Sequence, residues 1–242
     1  MLLINEISIA YRGIKTLNKL SAQAYENDFI CIIGHNGAGK STLIKALEGR
    51  IKLHEGAIIL DNIDISHYSR LQRAMLISTL HQNIALGSIS NMTVEENLAL
   101  ALLKGKQVTF NSGLSLIHNE PWLLQRWQEL FPHKNILKEK VSNLSGGERQ
   151  MLAFLIATAV PPKLLLLDEP TAALDPAAAD RMMKFIHSFA RAQKLITIMV
   201  THDLDAALAH GNKIWVIKHG VVAHAIDLAQ RQISAAELKL ML

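Results

Sequence analysis

The apolar run Phe29–Ile33 passes without a break into Gly34-His35-Asn36-Gly37-Ala38-Gly39-Lys40-Ser41, and that junction constrains the fold more than any other part of the chain. A continuous apolar run bounded by turn residues reads as a strand buried on both faces. The segment after it fits G-x-x-x-x-G-K-[ST], in which glycines let the backbone approach a ligand closely and the following helix offers its N-terminal amides to phosphate. Strand, glycine loop and helix in that order belong to an α/β fold with a mainly parallel sheet.

The rest of the chain extends this pattern. Residues 2–9 alternate as a half-exposed strand does, a helix is expected over 39–47, and a strand over 57–60. Residues 164–167 and 196–200 are further apolar runs that end in polar residues, as buried parallel strands do. Between about 83 and 143 the pattern turns helical. Thr93 and Glu96 form a capping box ahead of a Leu98, Leu102 stripe, and Leu123, Trp127 and Leu130 mark a second helical face. This stretch reads as an inserted helical lobe of a single domain spanning 1–242, with Trp122, Trp127 and Phe131 in its core. Downstream, Asp175 and Pro176 suit the N-cap and first turn of a helix that buries Met182, Phe185, Ile186 and Phe189. His219-Gly220 suits a hairpin turn between strands at 214–217 and 221–225, and the tail over 227–242 reads as helical.

The chemistry follows from charge and reach. Amides around Gly37, Ala38, Gly39 and Lys40 would wrap phosphates, the Lys40 ammonium would neutralise the terminal groups, and the Ser41 hydroxyl would ligate Mg²⁺. Asp168 and Glu169 stand at the C-terminal end of a buried strand, where α/β sheets place their ligands. Asp168 suits the Mg²⁺ shell, and Glu169 suits a general base for an attacking water. His202 follows the strand over 196–200 and would emerge on the same edge, within reach of a γ-phosphate or the water. A second, partial cradle, Leu144-Ser145-Gly146-Gly147-Glu148, opens a helix with small residues and carries no lysine, which suggests that two copies share each nucleotide.

Taken together, Gly34 to Ser41, Gln82, the Leu144-Ser145-Gly146-Gly147-Glu148-Arg149-Gln150 signature, the Asp168-Glu169 pair, Ala173-Leu174-Asp175 and His202 stand in the order and approximate spacing of the ATP-binding subunit of ABC transporters, with a slightly longer segment than usual between Gln82 and Met92. The chain resembles that family over nearly its full length. The resemblance implies a phosphate-loop NTPase core with an N-terminal antiparallel β part and an inserted helical subdomain. It implies that Tyr11 stacks on adenine, that Gly34, Asn36, Gly37, Ala38, Gly39, Lys40, Ser41 and Thr42 hold ATP, and that Gln82 reaches Mg²⁺ and water at the hinge to the helical lobe. Ser145, Gly146 and Gly147 then contact the γ-phosphate across a dimer, and Asp175 bridges the protomers. Lys40, Glu169 and His202 are the implied catalytic set, with Ser41, Gln82 and Asp168 around the metal. The implied partners are a second copy or a closely related ATPase subunit, separate transmembrane permease subunits, and a solute-binding protein. The segment Met92-Thr93-Val94-Glu95-Glu96-Asn97-Leu98 looks most like bacterial importers of amino acids or related solutes. Glu148 stands where the family often has glutamine, and Ala172 where serine is frequent.

Composition removes other classes. The net charge is +4, from 25 basic and 21 acidic residues, too small an excess to argue for nucleic acid. The apolar run over 151–160 stops at Pro161-Pro162-Lys163, short of a membrane span, and the N-terminus lacks the basic start of a secretory signal. The expected place is the cytoplasmic face of the membrane. Cys31, the only cysteine, lies within an apolar strand and reads as a small buried hydrophobe. Asn212-Lys213-Ile214-Trp215 lacks the aspartate of a guanine-reading motif, which argues against a GTPase. The alternative reading is a soluble ATPase of the same type that drives assembly or repair.

Overall fold

The computed structural model describes residues 1–11, 13–83, 87–105, 125–126, 128–129, 136–172 and 174–242. The chain divides into two compact units: Met1–Thr79 with Lys163–Glu169 and Ala190–Leu242, and Leu80–Pro162 with Pro170–Phe189.

The first unit holds two sheets. One is antiparallel and is built from β1 (Leu2–Tyr11), β2 (Ile14–Ala24), β4 (Glu55–Leu60) and β5 (Ile63–Asp64) in the order β2-β1-β4-β5. The alternation expected over 2–9 is interrupted, because Glu6 takes a left-handed φ of 46° and the register with β2 shifts between Ile4 and Ile7. Ile7, Ser8 and Ile9 are consequently all buried.

The second sheet follows the order β10-β9-β3-β8-β7-β6, with β3 (Phe29–Ile33), β6 (Ile77–Leu80), β7 (Leu164–Asp168), β8 (Ile196–Val200), β9 (Lys213–Lys218) and β10 (Val221–Asp227). β3 runs parallel to both β8 and β9, β7 runs parallel to β8, and β10 runs antiparallel to β9 at the sheet edge. The sheet is therefore mainly parallel, as the apolar runs require. The β9–β10 turn is His219-Gly220, at φ 47° and 76°, and the β4–β5 turn is Asp61-Asn62, at φ 55° and 64°. Positive φ at both central residues is the type I′ geometry whose twist matches antiparallel strands. One apolar cluster joins Leu2, Ile4 and Leu20 of the first sheet to Ile30, Leu166 and Ile198 of the second, and includes Leu43 and Leu47 of α1 (Lys40–Leu47).

Arg73, in α2 (Arg70–Ala74), is only 1% exposed and directs both terminal nitrogens of its guanidinium at carbonyls. Its Nη1 donates to Ala46 O at 2.7 Å and Leu47 O at 3.0 Å, and its Nη2 donates to Ser66 O at 2.9 Å. The guanidinium thus satisfies the carbonyl end of α1, where a cation also complements the helix dipole.

The second unit is helical: α3 (Val94–Leu102), α4 (Gly146–Thr158) and the greater part of α5 (Pro176–Ala192). The capping box of Thr93 and Glu96 forms as expected, and Leu98 and Leu102 are buried. Met182, Phe185, Ile186 and Phe189 are buried too, with Phe154 of α4 edge-on to Phe185 and Phe189 at centroid distances of 5.7 and 5.8 Å. The expectations for Trp122, Leu123, Trp127, Leu130 and Phe131 fall outside the described residues. The tail corrects its expectation. β10 continues to Asp227, and helix is confined to α7 (Ala235–Leu240), which starts at the Ser234–Glu237 capping box; α6 (Leu204–His210) precedes β9. Among the described residues no helix is long and apolar enough to cross a membrane.

Candidate active site

Register places the chemistry. Ile32 of β3 pairs with Val200 of β8, and Val200 pairs with Asp168 of β7, so the three strands end at one level. Thr201 N–H donates to Ile32 O and Glu169 N–H donates to Val200 O, continuing that alignment into the loops. Gly34, Glu169 and His202 therefore leave the sheet along its C-terminal edge, where open α/β sheets bind ligands.

The glycine loop is shaped by its neighbours. A Cβ on Gly39, at φ 111°, would stand 2.9 Å from both the Thr16 carbonyl oxygen and a Leu17 methyl, and one on Gly34 would stand 2.4 Å from Ile217 O. Gly37, at φ 80°, has open space on that side. Gly220 N–H donates to Ala38 O at 3.0 Å, Gly220 O accepts from Asn18 N–H at 3.0 Å, and Ala38 N–H is taken by His35 O. The β9–β10 turn thereby fastens the loop to β2. Gly39 caps α1 with no side-chain hydrogen bond, and no acidic residue stands in the first turn. By contrast α2, α3, α4, α6 and α7 all carry a side-chain cap. Positive partial charge at the start of α1 is thus left for an anion.

Lys40 Nζ donates to Gly34 O at 2.6 Å and His35 O at 3.0 Å, arched over the loop. Burial pushes its ammonium below the ordinary lysine range, while the charges of Glu169 and then Asp168 pull it back. Glu169 and His202 form a pair, with Nδ1 at 2.9 Å from Oε1. The pair is half open, since the His202 side chain is 76% exposed and that of Glu169 is 23% exposed. Glu169 sits at a left-handed φ of 50°, a conformation that costs a residue with a Cβ about 1–2 kcal/mol. Strain of this kind is held where surrounding structure over-determines it, commonly at a functional site. Ser41 is exposed at the first turn of α1, Thr42 beside it is buried, and Tyr11 is 43% exposed at the end of β1.

Among the described residues the first unit thus gathers Gly34 to Ser41, Asp168, Glu169 and His202. Gln82, Ser145, Gly146, Gly147 and Asp175 belong to the second unit. There Ser145 is exposed and caps α4, its Oγ accepting from Glu148 N–H while Glu148 Oε2 accepts from Ser145 N–H at 2.8 Å. Glutamate at this position therefore completes a capping box and leaves the small residues of the signature in place. Asp175 Oδ1 accepts from Ala178 N–H at 3.0 Å and caps α5. Ala173 lies outside the described residues. The roles of Thr16, Ile217 and Gly220 around the loop leave no local mark in the sequence, since each acts through a fold contact made by the backbone.

The family described as ABC transporter matches residues 17–172. The tyrosine transport ATP-binding protein of Clostridioides difficile (strain R20291) is 37% identical over 220 residues, covering 90% of this chain and 87% of that protein. The putrescine transport ATP-binding protein PotG of Escherichia coli (strain K12) is 32% identical over 226 residues, covering 91% of this chain and 55% of that longer protein. In three dimensions the fold matches the dimeric ATP-binding cassette MJ0796 in a post-hydrolysis state with ADP and Pi, at TM-score 0.79 and 24% identity, over 96% of this chain and 100% of that one. A glycine loop, an uncapped helix and a glutamate–histidine pair on one sheet edge agree with that kinship: the chain belongs to the ABC transporter family, as an ATP-binding subunit that hydrolyses ATP.

Proposed function

We propose that two copies of this chain, or one copy and a closely related second ATPase subunit, close head to tail around ATP and part after hydrolysis. The phosphate loop and the signature lie in different units of the chain, and the MJ0796 cassette of the same fold is dimeric. In this reading Tyr11 stacks on adenine, the Gly34 to Thr42 stretch and Lys40 hold the phosphates, and Ser145, Gly146 and Gly147 of the second copy complete the γ-phosphate shell. Asp175 bridges the copies.

Ser41, Asp168 and Gln82 would hold Mg²⁺. Mg²⁺ prefers one or two protein carboxylates together with phosphate and water, and the described residues contain no cluster of three or more His, Cys, Asp or Glu that could cage a metal alone. When bound, the ion neutralises charge on the phosphate oxygens. Glu169 then takes a proton from the attacking water, and His202 Nδ1–H orients its carboxylate.

Opening and closing would drive separate transmembrane permease subunits through Gln82 and the helical lobe, with the chain held at the cytoplasmic face of the membrane. The direction is import, and the solute is a small amino acid or amine delivered by a binding protein; the relatives named for tyrosine and putrescine transport support that class. The observation that carries the chemistry is the Glu169–His202 pair at 2.9 Å. Its test is Glu169→Gln, which should keep ATP affinity, accumulate an ATP-held dimer in size-exclusion chromatography, and lower turnover by about 10²–10⁴-fold, the usual worth of a general base. Turnover at the parent rate would refute the assignment.

A further inference from the structure

Gln150 is 3% exposed, one turn beyond Gly147 on α4. Its Nε2 donates to Pro170 O at 3.0 Å, and its Oε1 is buried with no hydrogen-bond partner among the described residues. The amide cannot be turned over, because that would set Oε1 against a carbonyl oxygen. A buried acceptor left unsatisfied is a cost that a purely structural side chain of the same shape avoids. Methionine or leucine would fill this volume without it. The side chain is therefore explained by what its donor holds.

Pro170 is the residue that follows Glu169. The same stretch is met a second time: a Cβ on Gly147 would stand 3.4 Å from a Leu174 methyl, and Leu174 N–H closes a turn onto Thr171 O at 3.1 Å. The first turns of α4, which carry the signature, are thus tied by the Gln150 hydrogen bond to the segment leading away from Glu169, and Leu174 of that segment lies beside Gly147.

We propose that Gln150 is a positioning residue that passes engagement of the signature to the backbone behind Glu169. The inference rests on the head-to-tail pair proposed above. In that pair the signature of one copy grips the ATP of its partner while its own Glu169 acts on its own ATP. The Gln150–Pro170 bond would then make each hydrolytic centre sense whether the neighbouring site is filled.

The test uses Gln150→Met, with Gln150→Leu as a second variant of similar volume, each in the full chain and each also combined with Glu169→Gln. Both remove the unsatisfied Oε1 but take the Nε2 donor from Pro170 O, one orphaned acceptor exchanged for another, so the melting temperature should stay within a few degrees of the parent. The combined variants should form the ATP-held dimer at the same ATP concentration as Glu169→Gln alone, because the grip itself is intact. In the single variants kcat should fall by roughly three- to tenfold, the effect of one hydrogen bond of ordinary net worth, with KM for ATP unchanged. Parent kcat would overturn the proposal, and so would a loss of kcat accompanied by weaker dimerisation, which would reduce Gln150 to a support of the signature. A Glu169→Gln chain with native Gln150 that stays monomeric in ATP would instead strike down the pair, and this inference with it.

Discussion

Two glycines of the first unit share a backbone conformation and differ in what surrounds them, which allows the phosphate loop's support to be measured. Gly37 has φ 80° and open space at its Cβ position, whereas Gly220 has φ 76° and a Cβ there would stand 2.4 Å from Thr16 O and 2.9 Å from Leu17 Cα. Both neighbours are backbone and cannot rotate away. Alanine at either position takes on the left-handed cost of about 1–2 kcal/mol. Only Gly220→Ala adds the forced displacement of a packed neighbour, about 1–3 kcal/mol. The gap between the two variants corresponds to about 2–12 °C in melting temperature for a chain of this size. Thermal unfolding without nucleotide measures it. Because Gly220 N–H also holds Ala38 O, Gly220→Ala should further weaken binding of a fluorescent ADP analogue. Equal melting of the two variants would refute the steric reasoning, and a destabilised Gly220→Ala chain with parent nucleotide affinity would refute the link to the loop.

Two further outcomes are expected. Asp61 meets Lys163 Nζ at 3.0 Å and the N-terminal ammonium at 3.7 Å, and hydrogen bonding to Lys163 holds its carboxyl below the ordinary 3.8 against some desolvation. A carboxyl lowered on folding stabilises above its unfolded value and loses that contribution as pH falls through its folded one. Asp61→Asn should therefore lose no more than about 1 kcal/mol at neutral pH, as exposed ion pairs do, and the difference from the parent in urea titrations should shrink as the pH is lowered through the carboxylate range; a pH-independent difference would contradict this. Cys31 is fully buried with its thiol pushed up to about 12 by desolvation, so iodoacetamide should label it only after unfolding. Rapid labelling of the native chain, followed by mass spectrometry, would disprove that burial.

Much of the site was legible because its signals are local. The strand Phe29–Ile33, the loop and α1 are contiguous, and the Thr93–Glu96 box and the Asp175-Pro176 start declare their helices within a few residues. β6 was harder to see. Its Ile-Ser-Thr-Leu sequence lacks an apolar run, yet Ser78 is buried inside the sheet. The tail misled because its apolar residues suit a helix, while β10 is drawn out to Asp227 by pairing with Lys213. The left-handed φ of Glu169 and the Gln150–Pro170 bond depend on distant packing, and residue types alone do not announce them.

The far end of α1 has its own implication. Arg73 grips the carbonyls of Ala46, Leu47 and Ser66 from a position sealed from water. Sliding the helix along its axis toward an arriving triphosphate would tear that guanidinium from its acceptors with no solvent to replace them. The rod is moored at its stern, so any response to nucleotide must begin in the loop and side chains at the bow.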